Sequence, residues 1–119
     1  MKRIIIAGGR DFHNYSLADN ALAEITKGIH PGDVQLISGG AKGADTIGEA
    51  LAQQYKTNTA IFPAQWDKHG KSAGYIRNSL MADNADILLA FWDGKSKGTG
   101  HMIDLAKLKG LEVHIINYT

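Results

Sequence analysis

The run Arg3-Ile4-Ile5-Ile6-Ala7, followed at once by Gly8-Gly9-Arg10-Asp11-Phe12, decides the fold of this chain. Three successive β-branched residues, cut off by a glycine pair, form the pattern of a strand buried on both faces. Such a strand needs helices on either side of its sheet. A helical repeat does follow: Leu17, Ala21 and Ile25 recur at i, i+4 and i+8, with Gly28 as a C-terminal stop. The unit then repeats. Asp33–Ile37 (DVQLI) is a second strand, ended by Ser38-Gly39-Gly40, and Ala44, Ile47, Leu51 and Tyr55 mark a second helix. Thr57–Phe62 is a third strand ended by Pro63, with Ala73, Ile76 and Leu80 as the inner face of the next helix. Ala85–Trp92 (ADILLAFW), the longest apolar run, reads as a central strand. Met102, Leu105, Ala106 and Leu108 mark a helix closed by Gly110, and Leu111–Ile116 is the last strand.

This alternation predicts an α/β, Rossmann-like three-layer sandwich with a five-stranded parallel sheet in the order 3-2-1-4-5. The connections then reverse direction between strands 1 and 4, so a ligand is expected over the carboxyl ends of those strands. With 119 residues and no linker or internal repeat, one domain spanning 1–119 is expected. Lys+Arg is 13 against Asp+Glu 12, a formal net charge of +1, which offers no reason to expect a long nucleic-acid footprint. There is no cysteine, which removes disulfides, thiolate nucleophiles and Cys-ligated zinc. The five histidines are scattered without metal-ligand spacing, so no metal is expected. No apolar run approaches the roughly 20 residues of a membrane span. The start, MKRIIIAGGR, lacks a signal-peptide core, and a cytoplasmic protein is the expectation.

Fourteen glycines against two prolines is the odd ratio, and the glycines cluster where strands give way to helices. Such loops let backbone N–H groups approach an anion, and the following helix N-terminus adds partial positive charge. The first loop is Gly8-Gly9-Arg10-Asp11-Phe12, and the second runs from Ser38, Gly39 and Gly40 through Lys42 and Gly43 to Asp45. The third contains Trp66, and the fourth runs Trp92-Asp93-Gly94-Lys95-Ser96-Lys97-Gly98-Thr99. Their convergence on one sheet edge points to a phosphate-bearing ligand, although neither a Walker A nor a G-x-G-x-x-G motif is present. Arg10 and Lys97 supply charge for phosphate. Asp11 could reach a ribose hydroxyl or pair with its neighbour in solvent. Asp45 suits both a helix cap and a ribose ligand. Phe12 and Trp66 offer faces for base stacking, and Trp92 divides between that role and the core.

GGRDF after the first strand, SGGAKGADTIGEALA after the second, FPAQW with AGYIRNSLM, and AFWDGKSKGT before the last helix together resemble the YspA-like branch of the SLOG superfamily. That superfamily includes the Smf/DprA DNA-processing proteins and the LOG ("lonely guy") phosphoribohydrolases. The resemblance covers nearly the whole chain. It implies a Rossmann-like domain that holds a nucleotide-derived molecule, such as ADP-ribose, an NAD-derived compound or a signalling nucleotide, for sensing or sequestration, including in phage–host conflict. LOG enzymes carry P-G-G-x-G-T-x-x-E before the last helix. Here Gly98-Thr99 keeps the phosphate turn, while the glutamate position is Met102. A LOG arginine is matched by Arg77, and Asn78 follows it as a further hydrogen-bonding group. The resemblance thus implies a kept phosphate apparatus without the hydrolytic acid. The alternatives are a LOG-like hydrolysis of nucleoside monophosphates, with Glu49 or Asp45 as the acid, and DprA-like binding of single-stranded DNA. SLOG relatives often dimerise beside the site, and Tyr75, Met81, Met102 and Ile103 look like more apolar surface than one core face needs. A homodimer or larger homo-oligomer is therefore expected, and no cofactor is required beyond the nucleotide-type ligand.

Overall fold

Ile4 and Ile6 point to one side of strand β1 (Lys2–Gly8), and Ile5 and Ala7 to the other, because successive side chains of a strand alternate faces. Two separate cores result. Ile4 and Ile6 join Leu36, Leu89 and Phe91 beneath helices α1 (Tyr15–Ile25) and α2 (Ala44–Tyr55). Ile5 and Ala7 join Ile37, Leu88 and Ala90 beneath α4 (Ala73–Asp83) and α5 (Lys97–Leu108). The computed structural model describes residues 1–40 and 43–118. The remaining strands are β2 (Val34–Ser38), β3 (Asn58–Ile61), β4 (Ile87–Trp92) and β5 (Glu112–Asn117). All pairings are parallel, in the order β3-β2-β1-β4-β5, as the alternation of elements predicts. The fold is an α/β Rossmann-like sandwich. Chain direction across the sheet reverses between β1 and β4, and a crevice opens there at the carboxyl edge.

Several local readings are corrected, the bounds of β2, β4 and β5 by one or two residues among them. Strand β3 is the short edge strand Asn58–Ile61, not Thr57–Phe62; most of it is exposed, so burial does not extend its pattern. A four-residue helix, α3 (Trp66–His69), precedes α4 and gave no periodic signal. In α4 the inward residues are Ala73, Asn78, Met81 and Ala82, whereas Ile76 and Leu80 face outward. The helix is turned this way because its inner face walls the crevice, where a polar Asn78 has partners. Met81, Met102 and Ile103 are all buried in the second core and leave no apolar surplus. The exposed apolar residues of α4 are Tyr75, Ile76 and Leu80. None of the described helices is long and apolar enough to cross a membrane.

Candidate functional site

The crevice between the ends of β1 and β4 is a cleft of about 370 Å³. Its floor is Ala7, Met81 and Met102, and one side is the Gly8-Gly9-Arg10 turn after β1. Opposite stand Arg77 and Asn78 of α4, and Ser96, Gly98 and Thr99 at the start of α5 close the end. Trp66, 56% exposed, stands at the mouth beside Lys71, Gly74 and Tyr75. Asp45 is the one carboxylate among the described lining residues.

A chain of hydrogen bonds holds the cationic wall. Arg77 Nη1 donates to the Gly39 carbonyl at 2.7 Å, and Arg77 Nε donates to Asn78 Oδ1 at 3.1 Å. A guanidinium only donates, so the oxygen of the Asn78 amide must face it. The amide nitrogen is thereby turned toward the Gly98 carbonyl at 3.3 Å and His101 Nδ1 at 3.2 Å. An amide nitrogen also only donates, so His101 Nδ1 accepts and the ring proton lies on Nε2. Burial holds His101 below its ordinary pKa, against the opposing pull of Asp104, which agrees with a neutral ring. Asn78, 6% exposed, thus links the start of α5 to the guanidinium.

Helix α5 begins at Ser96 without a side-chain cap. The Ser96 and Thr99 hydroxyls lie 3.2 Å apart, and the adjoining backbone N–H groups carry the positive end of the helix dipole. The Asp93 carboxylate does not face the cleft. Its Oδ1 accepts from Lys95 N and Ser96 N, both at 2.8 Å, and these bonds, that from Ser96 foremost, hold its pKa below the usual value. Asp93 shapes the loop. Trp92 donates its indole N–H to the Ser96 carbonyl and packs over Gly100, outside the cleft. Lys97 also lies outside it, in a shallower neighbouring hollow.

Several expected contacts are replaced by loop packing. Phe12 is not a stacking face for a base. It is 2% exposed and stacks on Phe91 with ring centroids 4.4 Å apart, because the turn after Gly9 folds it back into the first core. Gly39, Gly40 and Gly43 do not line the cleft. A Cβ on Gly39 would lie 2.4 Å from Arg77 Nη1, and one on Gly43 would lie 2.2 Å from the Gly9 carbonyl oxygen, so these glycines let neighbouring groups close in. Gly40, at φ +73°, donates its N–H to the Ser38 hydroxyl at 3.1 Å. Ser38 is buried and its hydroxyl donates to Glu49 Oε2 at 3.0 Å, which places Glu49 behind the loop and away from the cleft. The α2 cap is Gly43 rather than Asp45, which sits in the first helical turn. Lys42 lies outside the described residues.

Asp11 also points away. Its carboxylate accepts from the Tyr118 hydroxyl at 2.7 Å, which latches the end of the chain to the first loop. Gly9 leaves room for this latch, since a Cβ there would lie 2.5 Å from the Tyr118 oxygen. Burial first, and the Asp11 bond second, push the Tyr118 phenol up from 10.0 to about 12. The folded chain therefore favours the protonated phenol. Its contribution to stability is full below about pH 10 and is lost as the pH rises through about 12. An ultraviolet titration should show a tyrosinate step near pH 12 that Tyr118→Phe lacks; a normal step near pH 10 for every tyrosine would refute the latch.

Lys71, Gly74 and Tyr75 were missed as site residues. Gly74 closes the third loop but reads only as a turn glycine, Lys71 lies in its polar stretch, and Tyr75 reads as ordinary helix surface. Gly74 and Tyr75 lie within the motif AGYIRNSLM and Lys71 stands just before it, which was their signal.

Residues 2–69 match the YAcAr family, described as the YspA, cpYpsA-related SLOG family. The chain is 33% identical over 121 residues, 95% of its own length and 94% of the other's, to the Gene 61 protein of Mycobacterium phage D29. Among solved structures it is similar to DNA processing protein A (DprA) from Streptococcus pneumoniae, with a TM-score of 0.71 at 18% identity. That likeness is one of fold; it covers 99% of this chain and half of that one.

Proposed function

The chain belongs to the YspA, cpYpsA-related SLOG family, and from that premise we propose that it binds a nucleotide or nucleotide-derived small molecule without cleaving it. The observation that carries this reading is the convergence of Arg10, Lys71 and Arg77 with the uncapped start of α5 around one cleft. An anion there meets backbone N–H groups, a helix dipole and charge-assisted donors together. Trp66 at the mouth suits a base, whose stacking contributes about 1–3 kcal/mol. Asp45 suits a ribose hydroxyl. ADP-ribose, NAD-derived compounds and signalling nucleotides all fit this description, and a phage relative supports a role in sensing or sequestering such a molecule during phage–host conflict.

Cleavage of an N-glycosidic bond needs a carboxylate placed to activate water or stabilise the developing cation. The floor offers Met102 instead, and Glu49 is engaged by Ser38. Calorimetry with AMP, ADP-ribose and cyclic nucleotides, beside chromatography of the same mixtures, is expected to show binding with intact ligand. Rapid release of free base, abolished by Asp45→Asn, would make the protein a hydrolase instead.

The likeness to DprA favours a second reading, binding of single-stranded DNA, which the net charge of +1 opposes. Fluorescence anisotropy with a labelled oligonucleotide separates the two. Micromolar binding that falls steeply with salt and is not displaced by AMP would establish the second.

Self-association completes the proposal. Ile76 and Leu80, four residues apart on the outer face of α4, form an exposed apolar strip beside the cleft. Light scattering should give about twice 12.8 kDa for the native chain and 12.8 kDa for Ile76→Asp/Leu80→Asp. A native monomer at high micromolar concentration would refute it.

A further inference from the structure

Beside the cleft lies a second, more open hollow of about 660 Å³, bounded by Trp92, Lys95, Lys97, His101 and Asp104. Tyr75 and Ser96 belong to both depressions, so the two share a rim. That rim is the start of α5, where the helix has no side-chain cap. Each side of it repeats one composition. The cleft offers an indole (Trp66), cations (Arg10, Lys71, Arg77) and one carboxylate among its described residues (Asp45). The hollow offers an indole (Trp92), cations (Lys95, Lys97) and, among its described residues, one carboxylate (Asp104). Tyr75, half exposed and edge-on to His101 at 4.6 Å, puts an aromatic surface between them.

We infer that the two depressions form one trough for a two-ended ligand of dinucleotide type, with an aromatic ring at each end and an anionic linker over the start of α5. This rests on the nucleotide-binding reading above and specifies the ligand class. The chemistry follows from the layout. An anion bound at the shared rim meets backbone N–H groups from below and lysines or arginines from both sides. Rings on either side then meet Trp66 or the Tyr75–Trp92 wall. Asp45 and Asp104 suit sugar hydroxyls and would repel a phosphate placed against them. Size agrees: the cleft alone, about 370 Å³, stands near the small end of the roughly 300–1,000 Å³ of ligand pockets and suits one nucleotide half.

The test is calorimetric titration with AMP, ADP-ribose and NAD⁺, on the native chain, Arg77→Ala and Lys95→Ala/Lys97→Ala. Both lysines are exposed, so the double variant should melt like the native chain. NAD⁺, with a ring at each end, is expected to bind at least tenfold tighter than AMP, with ADP-ribose between them. The double variant should bring NAD⁺ down to the AMP level of the same variant, weakening NAD⁺ at least tenfold more than it weakens AMP. Arg77→Ala should weaken all three. Equal affinity of AMP and NAD⁺ in the native chain, or an NAD⁺ advantage that survives the double variant, overturns the trough and leaves the nucleotide site standing. Failure of all three to bind overturns both.

Discussion

Arg77→Ala is expected to weaken AMP binding roughly ten- to a hundredfold, a loss of about 1.5–3 kcal/mol. Among the described residues, the guanidinium is the one cation of the cleft with hydrogen bonds to two neighbours that set its direction, the Gly39 carbonyl and the Asn78 amide. A preoriented fork loses less side-chain freedom on meeting a phosphate than a free lysine does. The substitution also strips a donor from the Gly39 carbonyl and from Asn78 Oδ1, which costs some stability of its own. Arg77→Lys separates the two roles. It keeps the charge but cannot serve both acceptors and the ligand at once, so it should recover only part of the affinity. Calorimetry at matched ionic strength, with thermal melts of each variant, checks this. Native affinity in a folded Arg77→Ala protein would remove Arg77 from the site.

Gly43→Ala is expected to destabilise the fold by about 2–5 kcal/mol, lowering the midpoint by roughly 10 °C or more. Gly43 holds φ +79°, which L-residues adopt at a cost, and its added Cβ would press to 2.2 Å from the Gly9 oxygen and 2.9 Å from the Arg10 backbone. Every atom it would strike is main chain, so no side chain can swing aside. Gly94→Ala is the control. It has a similar φ of +82° with nothing within 4 Å, and should cost only about 1 kcal/mol. The difference between the two variants isolates the contact between the first and second loops. Equal melting of Gly43→Ala and Gly94→Ala would mean that the two loops do not pack as described.

Much of the site could be read before the fold was known, for a physical reason. Glycines that follow buried strands cluster at one edge of a parallel sheet by topology alone, so Gly8, Gly9, Ser96, Gly98 and Thr99 were legible as a group. The Arg77–Asn78 pair was legible through its motif. Which glycine serves which purpose was not. Gly39 and Gly43 have the same local sequence character as Gly98, yet the first two make room for Arg77 and for the Gly9 carbonyl. Lys71 reaches the cleft only because α3 turns the chain just ahead of α4.

The amino-acid sequence by itself determined the layer architecture and the strand order. Apolar residues at successive positions in RIIIA, DVQLI and ADILLAFW demand cover on both faces, and helical repeats between them supply it. It also determined that methionine, Met102, stands where the LOG motif has its glutamate, a matter of residue identity alone. Only the tertiary structure decided how side chains are apportioned. Phe12 went to the core because the turn after Gly9 folds it back onto Phe91. Asp11 went to Tyr118, 107 residues away, and Glu49 to Ser38. Ile76 and Leu80 faced outward because the inner side of α4 is claimed by Asn78 and its three partners. These outcomes depend on contacts between segments far apart in the chain, and local periodicity carries no information about such contacts.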